Sequence, residues 1–269
     1  MALQRVGLTH PRVRHLLAVA RNAVPNPHHL FVAEGRWAHE LLLEAGTPVD
    51  TFLYCPEAVR TEQARACAER ICSVAGAAYH VSDKVLQRVS ERERSDGLLS
   101  LARLPSWDAE SWQFGDSALV LVADGIEYAG NLGTLIRTAD ACRADCLVLA
   151  NRQVRRTHRR VFAASRGTVL TTPVVEFATS AEAAAWLGRH GFETFIADPG
   201  ARRTYRAGTF LGPRTAVVVG SEGRGAARDW YDRGATTVSI PMLGVADSLN
   251  VSASAAILLF EARARMSGW

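Results

Sequence analysis

Hydrophobic positions along the chain follow two different periods. Over residues 11–24, Val13, Leu16, Leu17, Ala20 and Val24 recur at helical spacing, and Pro25 and Pro27 close the run, which predicts an amphipathic helix. Short β-branched and aromatic runs then alternate with helical ones. They predict strands at 30–33, 49–54 and 79–81, helices at 37–45, 57–75 and 82–89, and a closing strand at 98–104. The first 104 residues therefore read as a small α/β domain of common size. Residues 105–116 contain Trp107 and Trp112 but no period, and read as a linker.

From Ala118 the alternation is plainer. Near-continuous apolar strands are predicted at 118–123, 146–149, 173–175, 194–197, 215–219 and 237–240, with helices near 132–142, 157–165, 181–190, 226–232 and 249–265. Apolar strands alternating with helices imply a mostly parallel sheet covered on both faces. The second domain accordingly spans 117–269.

Composition narrows the function classes. The chain has 269 residues, is 48% hydrophobic and carries a net charge of +4, with Lys84 its one lysine. Arginine forks suit phosphate, so a polyanionic partner fits, although an arginine bias also arises from genome composition. Its longest apolar run, 255–260, is far too short to cross a bilayer, and the start lacks a signal core, so a cytoplasmic protein is expected. The five cysteines form no C-x-x-C and have no histidine cluster nearby, which predicts reduced, buried thiols and no metal site.

Three stretches carry chemistry. The first, 124–140, follows a buried strand. Gly130-x-x-Gly133 lacks the third glycine of a dinucleotide fingerprint, and the next strand ends in Ala150-Asn151 without a carboxylate, so a nicotinamide or flavin site is disfavoured. Asn131 is left in the loop or cap of a helix, and Arg137 six residues on points elsewhere; Arg137 could simply pair with Asp140. The second, 217–225, has glycines after a strand but no lysine, which excludes a Walker cradle, and its Glu222 is placed to hold donors. The third, 239–261, is a strand stopped by Pro241, a loop, and a helix capped by Asp247 or Ser248 whose first turns, 251–256, carry mostly small side chains. Taken alone, it is also compatible with one more strand-loop-helix of an α/β domain.

Together, N-L-G-T-L-I-R-T-A at 131–139, V-G-S-E-G-R-G at 219–225 and S-I-P-M…S-L-N-V-S at 239–252 resemble, in order and spacing, the three motifs of the SpoU or TrmH class of SPOUT RNA methyltransferases. Residues before Pro105 are similar to the ribosomal-protein-like substrate-binding domain of many members. The resemblance implies a parallel α/β sheet with a deep C-terminal trefoil knot, a homodimer, S-adenosylmethionine as cofactor and RNA ribose 2′-O-methylation. A knot runs against ordinary chain connectivity and is implied by the resemblance alone.

Carried over by residue, Asn131 and Arg137 would sit beside the ribose, Glu222 would fix the motif geometry, and Ser248 and Asn250 would order the knot loop. Phe195, Ala197, Gly220, Ile240, Met242 and Leu249 would border the cofactor. Arg166, in Ala-Ser-Arg-Gly, resembles a substrate-facing arginine of the antibiotic-resistance branch. Arg143 departs from the pattern, because the family usually ends that helix with glycine. In the basic run 152–160, Arg155, Arg156 and Arg159 would track RNA phosphates or, alternatively, form a solvated helix face. The mixed-charge stretch 88–96 reads as surface. Ribosomal RNA is favoured over transfer RNA as the substrate. A non-catalytic RNA-binding protein of the same fold is the rival, with a small-molecule transferase third.

Overall fold

The computed structural model describes residues 3–90, 95–210 and 212–268. Of the mixed-charge stretch 88–96, residues 91–94 lie outside that range. The chain divides into two compact units, Met1–Pro105 with Thr157–Arg159, and Ser106–Arg156 with Arg160–Trp269.

The first unit runs α1 (Pro11–Ala20), β1 (Leu30–Glu34), α2 (Arg36–Glu44), β2 (Val49–Tyr54), α3 (Glu62–Val74), β3 (Ala77–His80), α4 (Asp83–Val89) and β4 (Leu98–Arg103). The strands lie in the order β1-β4-β2-β3; β4 is antiparallel to both neighbours and β2–β3 is parallel. Val13 and Leu16 of α1 and Val85 and Leu86 of α4 pack with Val32, Leu53, Leu99 and Leu101.

Two helices differ from expectation for local reasons. α1 stops at Ala20 because Asn22 takes φ 53° and Ala23 N–H returns to the Ala18 carbonyl at 2.8 Å, a left-handed closure. The run 57–75 is split: Pro56–Ala58 forms one 3-10 turn, and α3 begins only after Thr61, whose side chain accepts from Ala64 N at 3.2 Å.

The second unit runs β5 (Ala118–Asp124), α5 (Ala129–Ala141), β6 (Cys146–Ala150), α6 (Arg159–Ala164), β7 (Val174–Phe177), α7 (Ser180–Arg189), β8 (Glu193–Ala197), β9 (Arg214–Val219), α8 (Arg228–Asp232), β10 (Thr236–Val238) and α9 (Val251–Ser267). Its six strands are all parallel, in the order β10-β8-β9-β5-β6-β7. Val120, Val122, Val148 and Val218 pack with Trp186 and Leu187 of α7. The alternate positions of β5 turn to the other face, where α5 and α9 pack. The chain steps outward from β5 to β7 and returns with β8 and β9 on the opposite side, so the topological switch lies between β5 and β9, where parallel sheets place their ligands.

The stretch expected as a linker belongs to the second unit from Ser106 onward. Trp186 Nε1 donates to the Ala109 carbonyl at 2.9 Å, and Phe114 stacks edge-on against Phe192 with centroids 4.7 Å apart. Its aromatics are what hold it down. At the other end of the unit, the segment after β8 pairs with the segment after β10: Ser239 N–H donates to Arg203 O at 2.9 Å and Tyr205 N–H to Ser239 O at 3.0 Å.

Candidate active site

A cavity of about 570 Å³ opens at the C-terminal ends of β8, β9 and β10, closed on one side by residues 247–251 and the first turn of α9. Its size suits a nucleoside-bearing small molecule. Ala197, Gly220, Ile240, Met242 and Leu249, expected beside a cofactor, all line it, as do Glu222, Ser248 and Asn250. Phe195 does not. Two residues before the end of β8, its side chain turns into the core, 1% exposed, against the ring of Phe210 at 4.7 Å, while the expectation placed its backbone beside the cofactor.

Three side chains from separate parts of the chain meet at the cavity edge. Asn131 Nδ2 donates to Glu222 Oε1, and Asn250 Nδ2 donates to Asn131 Oδ1 at 3.3 Å. Asn250 Oδ1 in turn accepts from Ser252 N at 2.9 Å, so Asn250, rather than Asp247 or Ser248, caps α9. Ser252 Oγ reaches the Asn131 carbonyl at 3.4 Å, fastening α9 to α5. Asn131 itself lies in the first turn of α5, because that helix starts at Ala129, three residues before the predicted position. Ser248 Oγ donates to Asp247 Oδ1 at 3.2 Å.

Backbone approach explains two glycines. A Cβ at Gly220 would stand 2.0 Å from the Gly225 carbonyl carbon, because the loop 221–225 folds back on itself through Ser221 N–H to Gly225 O at 3.1 Å and Gly225 N–H to Ser221 O at 2.9 Å. A Cβ at Gly133 would meet the Val161 carbonyl oxygen at 2.6 Å, so the glycine of the first motif is what lets α6 lie against α5.

Arg137 is exposed on α5 and is not part of the cavity lining. The pairing with Asp140 considered from sequence is not among the ion pairs of the described residues. Among the arginines expected on RNA, Arg155 and Arg166 are exposed. Arg166 takes φ 55° in the turn that ends α6. Arg156 is corrected: it is 4% exposed, its Nε donates to Glu176 Oε1 at 2.6 Å and its guanidinium stands 5.9 Å from the Trp107 ring. Arg159 is likewise turned inward, 3.5 Å from Glu34 and donating to the Val89 carbonyl at 3.2 Å, within the first unit.

Sequence reasoning missed Asp124, Asp198 and the cavity role of Asp247. Asp124, 2% exposed at the end of β5, accepts from Asn151 Nδ2 at 2.7 Å, Ala227 N at 2.7 Å and Trp230 Nε1 at 3.0 Å, and so ties the exit of the Glu222 loop to the sheet. Asp198 and Asp247 both line the cavity. Tyr231, 40% exposed, stands beside Asp198, and partial burial, followed by the carboxylate's charge and hydrogen bond, pushes its phenol above the ordinary value. An acidic residue directly after an apolar strand of a parallel sheet was the available signal. Among the described residues there is no cluster of side chains that could hold a metal ion, and no helix is long and apolar enough to cross a membrane.

Two family patterns match the chain: that of the SpoU rRNA methylase family over residues 118–260, and that of the MRM3-like substrate binding domain over residues 11–100. A Streptomyces laurentii protein named 23S rRNA (adenosine(1067)-2'-O)-methyltransferase is 32% identical over 190 residues, covering 69% of this chain and 68% of that one. A Staphylococcus haemolyticus protein described under the TrmH family of tRNA/rRNA methyltransferases is 33% identical over 142 residues, 53% of this chain, which matches only 57% of that relative's length. Among solved structures, one described as an RNA 2'-O ribose methyltransferase superimposes with a TM-score of 0.79 at 32% identity, over 97% of this chain and 99% of that one. The SpoU methyltransferase AviRb of Streptomyces viridochromogenes, solved in complex with AdoMet, has a TM-score of 0.81 at 24% identity over 97% of this chain and 100% of its own, a likeness of fold.

Proposed function

The chain belongs to the SpoU rRNA methylase family, and from that premise we propose that it is an S-adenosylmethionine-dependent RNA ribose 2′-O-methyltransferase whose substrate is ribosomal RNA. The observation that carries the reading is the contact chain Asn250–Asn131–Glu222, which draws all three motifs to one edge of a nucleoside-sized cavity. The cavity fits the cofactor: its volume suits an adenosine and a short charged tail, and its lining combines the apolar Ile240, Met242 and Leu249 with carboxylates. Ala197, Gly220, Ile240, Met242 and Leu249 would hold it.

S-adenosylmethionine supplies a methyl group already activated on a sulfonium. The chain's own part is then alignment and management of one proton. Asn131, held between Glu222 and Asn250, is assigned to orient the ribose. Arg137, exposed and outside the cofactor lining, is assigned to the substrate side, where it binds the adjacent phosphate together with the 2′-hydroxyl and lowers the cost of charge on that oxygen. Guanidinium keeps its proton in proteins, so the hydroxyl proton leaves to phosphate or water. The family relationship supports a C-terminal trefoil knot and a homodimer. The first unit, matched by the substrate-binding pattern over 11–100, is assigned to RNA.

The test is methyl transfer from tritiated S-adenosylmethionine to purified ribosomal and transfer RNA, followed by digestion to nucleosides. Label in a 2′-O-methylnucleoside of ribosomal RNA supports the reading, and label confined to transfer RNA moves the substrate. Cofactor and RNA binding without transfer would identify a non-catalytic relative. Arg137→Ala and Arg137→Lys should both lose turnover while keeping cofactor affinity; near-normal turnover in either overturns the role given to Arg137.

A further inference from the structure

The cavity is acidic in a chain that is otherwise basic. Asp198, Asp247 and Glu222 line it, and no arginine, lysine or histidine does, although the chain holds 31 basic residues against 27 acidic ones. Each carboxylate has neutral partners only. Asp198 Oδ1 accepts from Gly200 N at 2.8 Å and its Oδ2 faces the Tyr231 hydroxyl at 3.5 Å, Asp247 takes the Ser248 hydroxyl, and Glu222 takes the Asn131 amide. The guanidinium two residues after Glu222, that of Arg224, is held by Glu127 at 2.9 Å. None of the three forms an ion pair among the described residues. Like charges gathered round one concavity repel, and the arrangement is offset when a cation occupies it.

We infer that these carboxylates make the cavity discriminate by charge, holding the sulfonium cofactor more tightly than the thioether left after transfer. The inference rests on the cofactor reading above. In the transfer, the ribose oxygen forms a bond to the methyl carbon, the carbon–sulfur bond breaks with its electron pair remaining on sulfur, and the hydroxyl proton leaves to solvent. The positive charge on sulfur therefore disappears, while adenosine and the amino-acid tail are unchanged. A pocket that recognised only those shared parts would retain its product. Asp198, on the β8 exit, and Asp247, in the loop before α9, both line the cavity and give it a reason to let go. Across a partly wet cavity each carboxylate contributes about fivefold to the preference, and the preference shrinks as salt screens it.

Calorimetry on the full chain tests this with three ligands: S-adenosylmethionine, S-adenosylhomocysteine, and sinefungin, in which a protonated amine replaces the sulfonium. The wild type should bind both cations about tenfold or more tightly than the neutral thioether. Asp198→Asn and Asp247→Asn should each narrow that ratio, and the double variant should nearly abolish it by weakening the cations while S-adenosylhomocysteine stays within about threefold. An unchanged ratio, or equal losses for charged and neutral ligands, overturns the inference and leaves the cofactor reading standing. Failure of the wild type to bind S-adenosylmethionine at all overturns both.

Discussion

Replacing Asn131 by aspartate keeps the shape of the side chain and reverses one contact. The amide that donates to Glu222 Oε1 becomes a carboxylate oxygen facing a carboxylate, while the acceptor for Asn250 Nδ2 at 3.3 Å is retained. A hydrogen bond to a charged group is worth about 1.5–3 kcal/mol when enclosed. Glu222 is exposed, so solvent screening reduces this to about 1 kcal/mol. Repulsion between two carboxylates at contact in a partly wet setting adds about 1 kcal/mol more. The swing of roughly 2 kcal/mol predicts about a 30-fold fall in kcat/KM for methyl transfer in Asn131→Asp. Glu222→Gln alone keeps an acceptor and should cost about threefold. In the double variant the new glutamine amide can donate to the new carboxylate, so polarity is exchanged and the contact restored. Its kcat/KM should exceed that of Asn131→Asp by about tenfold, a positive coupling read from a double-mutant cycle. Thermal unfolding of all four proteins separates this from lost fold. A double variant as slow as the product of the singles, with unchanged Tm, would refute the idea that this contact aligns the site.

Gly220→Ala should weaken binding of S-adenosylmethionine by about tenfold or more in calorimetry, because its Cβ would overlap the 221–225 loop, an overpacking worth about 1–3 kcal/mol. Arg263 donates to the Cys142 carbonyl at 2.9 Å and the Arg143 carbonyl at 2.6 Å, so Arg263→Ala should lower stability by about 1–2 kcal/mol in urea unfolding, whereas Arg143→Gly, relieving φ 54°, should raise it by about 1 kcal/mol. Burial pushes the thiols of Cys55, Cys67 and Cys72 to about 11 and raises those of Cys142 and Cys146, so at pH 8 iodoacetamide should label the native protein far more slowly than the unfolded one, with labelling rising as pH approaches 11. Arg166→Ala should weaken RNA binding and flatten its salt dependence, while Arg156→Ala should instead lower Tm by removing the buried one of the two guanidiniums paired with Glu176, readouts obtained from filter binding and calorimetric melting.

The parallel sheet was legible because its strands are apolar on both faces, so neither register nor neighbour had to be known to recognise them. Helix ends were less so. α1 ends on a left-handed Asn22 and α3 begins at a threonine cap, and both depend on hydrogen bonds made a few residues away. The stretch 105–116 misled for a related reason. It has no period because its aromatics are placed one by one, Trp107 by Arg156, Trp112 by Phe114, and Phe114 by Trp186 and Phe192, and tertiary contact of that kind leaves no repeat to read. Asn131, Glu222 and Asn250 could be named in advance because ordered motifs carry them. Asp198 and Asp247 could not, since what singles them out is lining a cavity whose other walls come from β9 and α9.

The arginines make the same distinction sharper. Counting charges over 152–160 suggests one basic surface, yet Glu176 at the end of β7 draws in both Arg152, at 3.3 Å, and Arg156, at 2.6 Å, and Arg156 is nearly sealed. A guanidinium enters such a place only with a carboxylate waiting, so the partner, twenty residues on, decides whether a given arginine meets solvent or core. Arg143 runs the other way. The left-handed turn that glycine usually serves in this family is kept, at φ 54°, by a residue that pays for it locally, and Arg263 from α9 binds the carbonyls that the turn exposes. Arg263 thus ties α9 to the end of α5, the same two helices that Ser252 Oγ joins at their other ends through the Asn131 carbonyl at 3.4 Å, so the turn at Arg143 is held by tertiary contact and not by the residue that occupies it.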